Sequence, residues 1–546
     1  MARIDQDIIK HKLAILGLHA ERNSHAFISR LSTEILETIF IYCARGDLDC
    51  PALTAGMPSW INISYVSRHW RNVALNCPIL WSYLGVTSER WMEEFLARSN
   101  QVPLKLHVNT NHSSKVARAS LRLLDRAMKN AERIQELRLT CDVDYGFLHC
   151  LSSTIVPHLQ TLGISTADSC SAAVYVSPFG EDMPALRTLE LSRHSPPLSL
   201  FKLSCLTTVS LHHIPAVSQQ NMTEFLPSLS SAQNLEHLYL DDALASAAGF
   251  LSDAAFCTFQ KFSLPRLSRL LITAPLSTVI AFLSCVNIPA RTQVRLACHD
   301  EQGCSLDNYS RFSSLVAQSC GTSCATTRSL VILPGWGKRV LTFSASERAC
   351  GPFEPGPSFT NRHWDCDIPL QVILNLHRWS PSGHDYDLTI HTAISGVCCS
   401  LPLTNVQSLH VIDPSSASAF WSKILGHLQG LRYLKLTEGW LPDLATVLSA
   451  AHDDDTEDQR ERDDQQGSER IVAPALVEVV LCRVFFPWIP LPRCGCRPFP
   501  GGDVFALHDV LSKRKYSHGG QVTLIECFNS RSYGETLTFD WKWKGQ

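Results

Sequence analysis

The feature that most constrains this chain is an apolar motif, L-x-x-L-x-L with Ile or Val substituting, which recurs nine times. It reads Ile134/Leu137/Leu139, Leu159/Leu162/Ile164, Leu186/Leu189/Leu191, Leu206/Val209/Leu211, Leu235/Leu238/Leu240 and Leu267/Leu270/Ile272 in a first run. Val406/Leu409/Val411, Leu431/Leu434/Leu436 and Leu476/Val479/Leu481 form a second. Successive starts lie 25, 27, 20, 29 and 32 residues apart in the first run, and 25 and 45 apart in the second. One such motif cannot bury its own leucines. Side by side, many of them build a continuous core that no single unit could make.

Alternation along a strand sends the last two apolar residues of each motif to one face and their neighbours to the other. The neighbours include Glu136, Arg138 and Thr140; Thr188, Glu190 and Ser192; His237, Tyr239 and Asp241; and Tyr433, Lys435 and Thr437. From these, Arg138, Glu190, Tyr239, Asp241, Tyr433 and Lys435 are candidates for a protein-binding face. The same mixture also fits the solvated side of a sheet. Spacings in the twenties resemble leucine-rich repeats, in which each unit supplies one short strand and a helical or irregular return. That resemblance implies an irregular α/β solenoid over 101–546. Between roughly 291 and 400 the repeat blurs. VRLAC, SLVIL, VLTF, LQVILNL and LTIH still read as strands, either of irregular repeats or of an inserted β-rich element. The 45-residue gap holds DDDTEDQRERDDQQ, so a disordered acidic insertion is expected at about 452–470. Near the end, Val504 to Lys515 reads as a helix and VTLIEC as a last strand.

The first hundred residues have a different, helical texture, which makes the whole chain α+β. Residues 1–27 hold a helix from about Ile4 to Asn23, with Ile4, Ile8, Ile15 and Leu18 on one face. It is amphipathic, but its length alone does not establish a coiled coil, and it is expected to pack on the next module. In the module, residues 28–100, Leu31, Ile35, Leu36, Ile39 and Phe40 form an apolar stripe. Ser32 or Thr33 can cap that helix, with Glu34 in its first turn. SWINISYVSRHWRNVALNCP reads as a second helix with Ile63, Val66, Trp70, Val73 and Ala74 along one side, and Ser88 to Ser99 as a third.

RLSTEILETIF, then VSRHWRNVAL, then CPILW, and a following W-x-x-x-F-L-A-R-S resemble the F-box family, particularly the F-box-like proteins of mushroom-forming fungi. The resemblance implies helices that dock on a Skp-type adaptor and so join a cullin-based ubiquitin ligase, while the C-terminal region selects an unidentified protein substrate. Carried over by position, Leu31, Glu34, Ile35, Leu36, Ile39 and Phe40 would supply the first contact helix, and Val66, Ser67, Trp70 and Trp81 would shape the rest. Each could instead be a core residue of the module. A scaffold whose helical module only caps the repeats is the alternative.

No catalytic constellation or cofactor motif accompanies these patterns. Gly321-Thr322-Ser323-Cys324-Ala325 misses the final glycine of a G-x-S-x-G elbow. Cys494-Gly495-Cys496, Cys320 with Cys324, and His363 with Cys366 do not form paired zinc knuckles, so no metal site is expected. Twenty-one scattered cysteines without a secretory signal are expected to be reduced thiols in an intracellular protein, cytoplasmic or nuclear. A net charge of −3 gives no reason to expect a nucleic-acid partner. No run approaches the ~20 apolar residues that span a bilayer.

Overall fold

The computed structural model describes residues 2–48, 59–84, 89–109, 122, 124–141, 155–166, 183–193, 201–214, 222–244, 261–299, 306–334, 340–348, 368–375, 395–412, 418–438, 444–449, 473–486, 488–489, 499–500, 506–507, 509–511, 521–525, 528–529 and 541–542. The acidic insertion, LTIH, Cys494-Gly495-Cys496, His363 and Cys366 lie outside these residues. The chain forms two compact units, Met1–Gln220 and Asn221–Gln546.

The first unit opens with helix α1 (Ala2–Ser24). Residues 3–19, 21 and 22 are all exposed, so the expected packing on the following module is confined to its last turn, where the Asn23 carbonyl accepts the Ser29 hydroxyl at 2.6 Å. Helix α2 (Thr33–Leu48) follows Ser32, whose carbonyl accepts the Leu36 N–H at 3.1 Å. The expected second helix is broken in two: a 3-10 segment, Ser59–Tyr65, then α3 (Arg68–Leu75). The break has a local cause. Ser67 is extended (φ −155°) and its hydroxyl accepts the Trp70 N–H at 3.1 Å, capping a new helix rather than continuing an old one. Strand β1 (Tyr83–Leu84) and helix α4 (Glu89–Arg98) complete the module.

Strands β2 (Leu104–Asn109), β3 (Ile134–Cys141), β4 (Thr161–Thr166), β5 (Thr188–Ser192) and β6 (Thr208–His212) then pair in parallel, each with the next. Strand β1 pairs in parallel with β2, so the helical module runs directly into the edge of this sheet. The apolar rows are in register: Leu137, Leu162, Leu189 and Val209 lie side by side, as do Leu139, Ile164, Leu191 and Leu211. All eight are buried.

In the second unit, helix α5 (Met222–Ser230) precedes strands β7 (His237–Asp241) and β8 (Arg269–Pro275). Helix α6 (Leu276–Cys285), strand β9 (Gln293–His299) and helix α7 (Leu306–Cys324) follow. Every residue of α6 except Ser284 is buried, as befits a helix apolar on all sides, and it packs against α7, β8 and β9. The blurred region supplies β10 (Ser329–Pro334), β11 (Val340–Ser346) and β12 (Leu370–Asn375). The second run of motifs supplies β13 (Ser408–Ile412), helix α8 (Ser418–His427), β14 (Tyr433–Thr437), helix α9 (Leu444–Ser449) and β15 (Glu478–Cys482). Strands β16 (Gln521–Ile525) and β17 (Trp541–Lys542) come last.

The spatial order is β7-β8-β9-β12-β11-β10-β13-β14-β15-β16-β17. The blurred region therefore stays in the sheet but is laid down in reverse, with β11 antiparallel between β12 and β10. Strand β17 is antiparallel on β16, and the remaining pairings in this sheet are parallel. This reversal is why the period fades in the sequence: a strand entered from the opposite end does not repeat the parallel unit.

Two backbone devices recur with the motif. In eight of the nine motifs the first apolar residue closes a turn onto a buried apolar residue three positions earlier, and in the first Ile134 does so onto half-buried Ala131. Leu159 donates its N–H to Val156, Leu186 to Met183, Leu206 to Leu203, Leu235 to Ala232, Leu267 to Leu264, Val406 to Leu403, Leu431 to Leu428 and Leu476 to Ala473. Beyond the strand, the next residue adopts a left-handed conformation at Arg193 (φ 60°), His213 (φ 50°), Asp242 (φ 50°), Glu438 (φ 62°) and Arg483 (φ 55°). Non-glycine residues enter this region at a steric cost, so its recurrence at one position marks a shared local geometry. Among the described residues no helix is long and apolar enough to cross a membrane.

Candidate functional site

Helix α2 carries two apolar stripes with different fates. Leu36, Phe40 and Ala44, four residues apart, are buried. Ile35, Ile39 and Tyr42, at i, i+4 and i+7, share another face and are exposed, Ile35 by 50% and Tyr42 by 67%. Phe27 (83%), Ile28, Tyr65 and Val66 are also exposed. Exposed large apolar side chains of this kind are candidate contact positions.

The ten residues carried over by position divide accordingly. Glu34, Ile35, Ile39 and Val66 are exposed, and Leu31 is half-buried. A hydrogen bond with the Ser32 side chain holds the Glu34 carboxyl below its ordinary pKa, which keeps a charge beside the stripe. Leu36, Phe40 and Trp81 are buried in the module's interior. Phe40 packs on half-buried Trp70, with ring centroids 5.2 Å apart. Trp81 donates its Nε1 hydrogen to the Ala74 carbonyl at 2.8 Å and meets Trp60 and Phe95 edge-on at 5.2 and 5.0 Å. The Arg98 guanidinium lies 4.5 Å above its ring. Ser67 is the cap of α3 and acts by positioning that helix. Phe27 and Tyr42 were missed from sequence; the i+7 spacing of Tyr42 from Ile35 was the available signal.

The six residues predicted for the strand face do lie opposite the buried rows and are half-buried, two of them in the first unit and four in the second. In the first unit Arg138 and Glu190 are paired with each other. The Arg138 guanidinium reaches Glu190 with Nη2–Oε1 at 3.1 Å and a second, shorter Nη1–Oε2 contact, and its Nε donates to Glu136 at 2.7 Å. Lys105 and a His107 ring nitrogen approach Glu136 at 3.7 and 3.2 Å. Burial alone would raise the Glu136 pKa, yet the hydrogen bonds from His107 and Arg138 and the Arg138 charge hold it at about 2.

Arg138 and Glu190 stand two strands apart, about 9.6 Å, with Gly163 between them in register. A Cβ there would sit 3.2 Å from Arg138 Cγ, so the glycine leaves the guanidinium its path across β4. Gly163→Leu is expected to separate the pair and cost about 1–3 kcal/mol by overpacking, read as a lowered denaturation midpoint. Gly163→Ala, needing only a small shift of a flexible side chain, should cost less.

In the second unit, Tyr239 and Asp241 lie on β7 while Tyr433 and Lys435 lie on β14, with six strands between. Tyr239 stacks with His237 at 6.2 Å. Lys435 faces His410 in the β13–β14 ladder, and His410 Nε2 is 2.8 Å from Thr437 Oγ1. Burial first, and the Lys435 charge second, push the His410 pKa down to about 4. An unfolded histidine titrates near 6.5, so between those values the unfolded chain binds the proton and the folded one does not. Stability should therefore fall as pH drops from about 6.5 to about 4, by on the order of 3 kcal/mol, and level off below. His410→Gln should flatten that segment of a pH–stability curve while leaving the neutral end nearly unchanged.

The glycine-serine pattern at Gly321–Ala325 sits at the end of α7, with Ser323 inside the helix rather than on a strand-to-helix turn. Cys320 and Cys324 are buried and their thiols are pushed well up, Cys324 to about 12, by loss of solvent. Such sulfurs stay protonated and behave as core hydrophobes. No family model matches the chain, and no curated protein matches it in sequence.

Proposed function

We propose that the chain is a substrate-recognition adaptor of a Skp/cullin/F-box type ubiquitin ligase. The observation that carries this reading is α2, whose inner stripe is already used by the module's own core while Ile35, Ile39 and Tyr42 remain uncovered. In this reading those residues insert into an apolar groove of a Skp-type adaptor, with the Glu34 charge beside them. The strand region is an irregular leucine-rich-repeat solenoid that holds the target protein. The in-register leucine rows, the recurrent i to i−3 turn and the recurrent left-handed residue support one repeated structural unit. No step needs a cofactor or a metal, and the assembly operates in the cytoplasm or nucleus.

The pairing of β1 with β2 favours a second reading, in which the helical module only caps the first strand and the chain is a protein-interaction scaffold. Co-expression of the full chain with a Skp-type adaptor, followed by affinity capture, separates the two. Stoichiometric capture is expected for the adaptor reading. A folded chain that never captures adaptor leaves the cap reading.

A further inference from the structure

Helix α1 presents a physical problem of its own. Its 23 residues are helical, yet residues 3–19, 21 and 22 are exposed, including Ile4, Ile8, Ile9, Leu13, Ile15, Leu16 and Leu18. Four of these are β-branched isoleucines, and Gly17 sits in the interior with no atom near its would-be side chain. Isolated helices are marginal in water, and β-branched residues and glycine weaken them further. Burial against another surface is what such a helix requires.

We propose that α1 is a self-association helix forming a parallel two-stranded coiled coil with a second copy of this chain. Ile4, Ile8, His11, Ile15 and Leu18 follow one another at spacings of 4, 3, 4 and 3, an a/d seam with Ile8 and Ile15 at a. Isoleucine at a favours two strands where d is leucine, as at Leu18; the other d residues are Ile4 and His11. The seam layers select the orientation. In a parallel pair, Ile8 stacks on Ile8 and Ile15 on Ile15, and Asp7 at g faces Lys12 at e of the other copy, twice by symmetry. The antiparallel pair that seats all five seam residues has a comparable charge contact, Asp5 with Lys12, but sets each Ile8 against His11. Gly17 falls at c, away from the seam, so it does not interrupt the contact. His11 is the one polar residue inside it, fixing register at some cost in affinity.

Sedimentation equilibrium of the full chain tests this. A reversible species of twice the 60.7 kDa chain mass is expected. Ile8→Asp with Ile15→Asp should weaken it at least about 100-fold by placing charges in the seam, with the unfolding midpoint of the rest of the chain unchanged. His11→Leu should tighten it about tenfold. Asp7→Lys should weaken association about threefold, and adding Lys12→Asp should restore it. A chain that stays monomeric, or a dimer indifferent to the Ile8/Ile15 pair, overturns the proposal. Tighter association of Asp7→Lys overturns the parallel arrangement.

Discussion

Ile35→Asp combined with Ile39→Asp is expected to abolish capture of a Skp-type adaptor by the full chain, a loss of at least about 100-fold in affinity. Both side chains are exposed in α2, so neither substitution opens a cavity or buries a charge in the free protein. The cost to the fold is confined to helix propensity and should stay within about 1 kcal/mol. At a covered interface the same two carboxylates would have to be desolvated without partners, which is where the large effect arises. Affinity capture, alongside a denaturation curve on each variant, measures both quantities. Undiminished capture by a folded double variant would sink the proposed docking face.

Phe40→Ala is expected to do the opposite, lowering the stability of the first unit by about 3–5 kcal/mol. Its side chain has no exposed surface, lies against Trp70, and belongs with Leu36 and Ala44 to the buried stripe of the same helix. Trp81→Ala should be similar or worse, since it also leaves the Ala74 carbonyl without the indole donor and removes the partner of Trp60 and Phe95. Any loss of adaptor capture in these variants should follow the unfolded fraction. It should therefore reverse on cooling toward the stability maximum. The Ile35/Ile39 pair should show no such recovery. The contrast assigns a phenotype to surface or to core, a distinction that matters because Ile35, Ile39 and Phe40 sit within two turns of one helix.

That contrast also shows what the sequence could and could not say. Periodicity identified α2 and its apolar residues, but 3.6-residue spacing placed Ile35, Leu36, Ile39 and Phe40 in one broad stripe. Which half faces inward depends on Trp70 and the Ser59–Tyr65 segment, which arrive later in the chain. The strand rows were legible because alternation has a strict period of two, and all nine motifs supply buried residues on strands. Strand β2 was not anticipated, although LKLHV alternates, because Leu104 lies before the first recognised motif. The turns at Val156, Met183, Leu203 and Ala232 were hidden by chemistry: four different apolar residues fill one role, so no single letter repeats. The pairing of Arg138 with Glu190 depends on an intervening glycine whose meaning appears only when three strands are in register.

The fixed stretch from the i−3 turn to the left-handed residue has a consequence for how such a chain can vary. Within it, adding one residue would flip every following side chain to the wrong face. Outside it, extra length merely enlarges an arc whose closure cost grows only logarithmically. Spacings of 20 and 45 residues can thus serve the same ladder, and the acidic segment falls in the longest arc, between Ser449 and Ala473. Length and charge can be rewritten there without renegotiating the strands on either side, which makes the arcs the chain's editable text and the ladder its grammar.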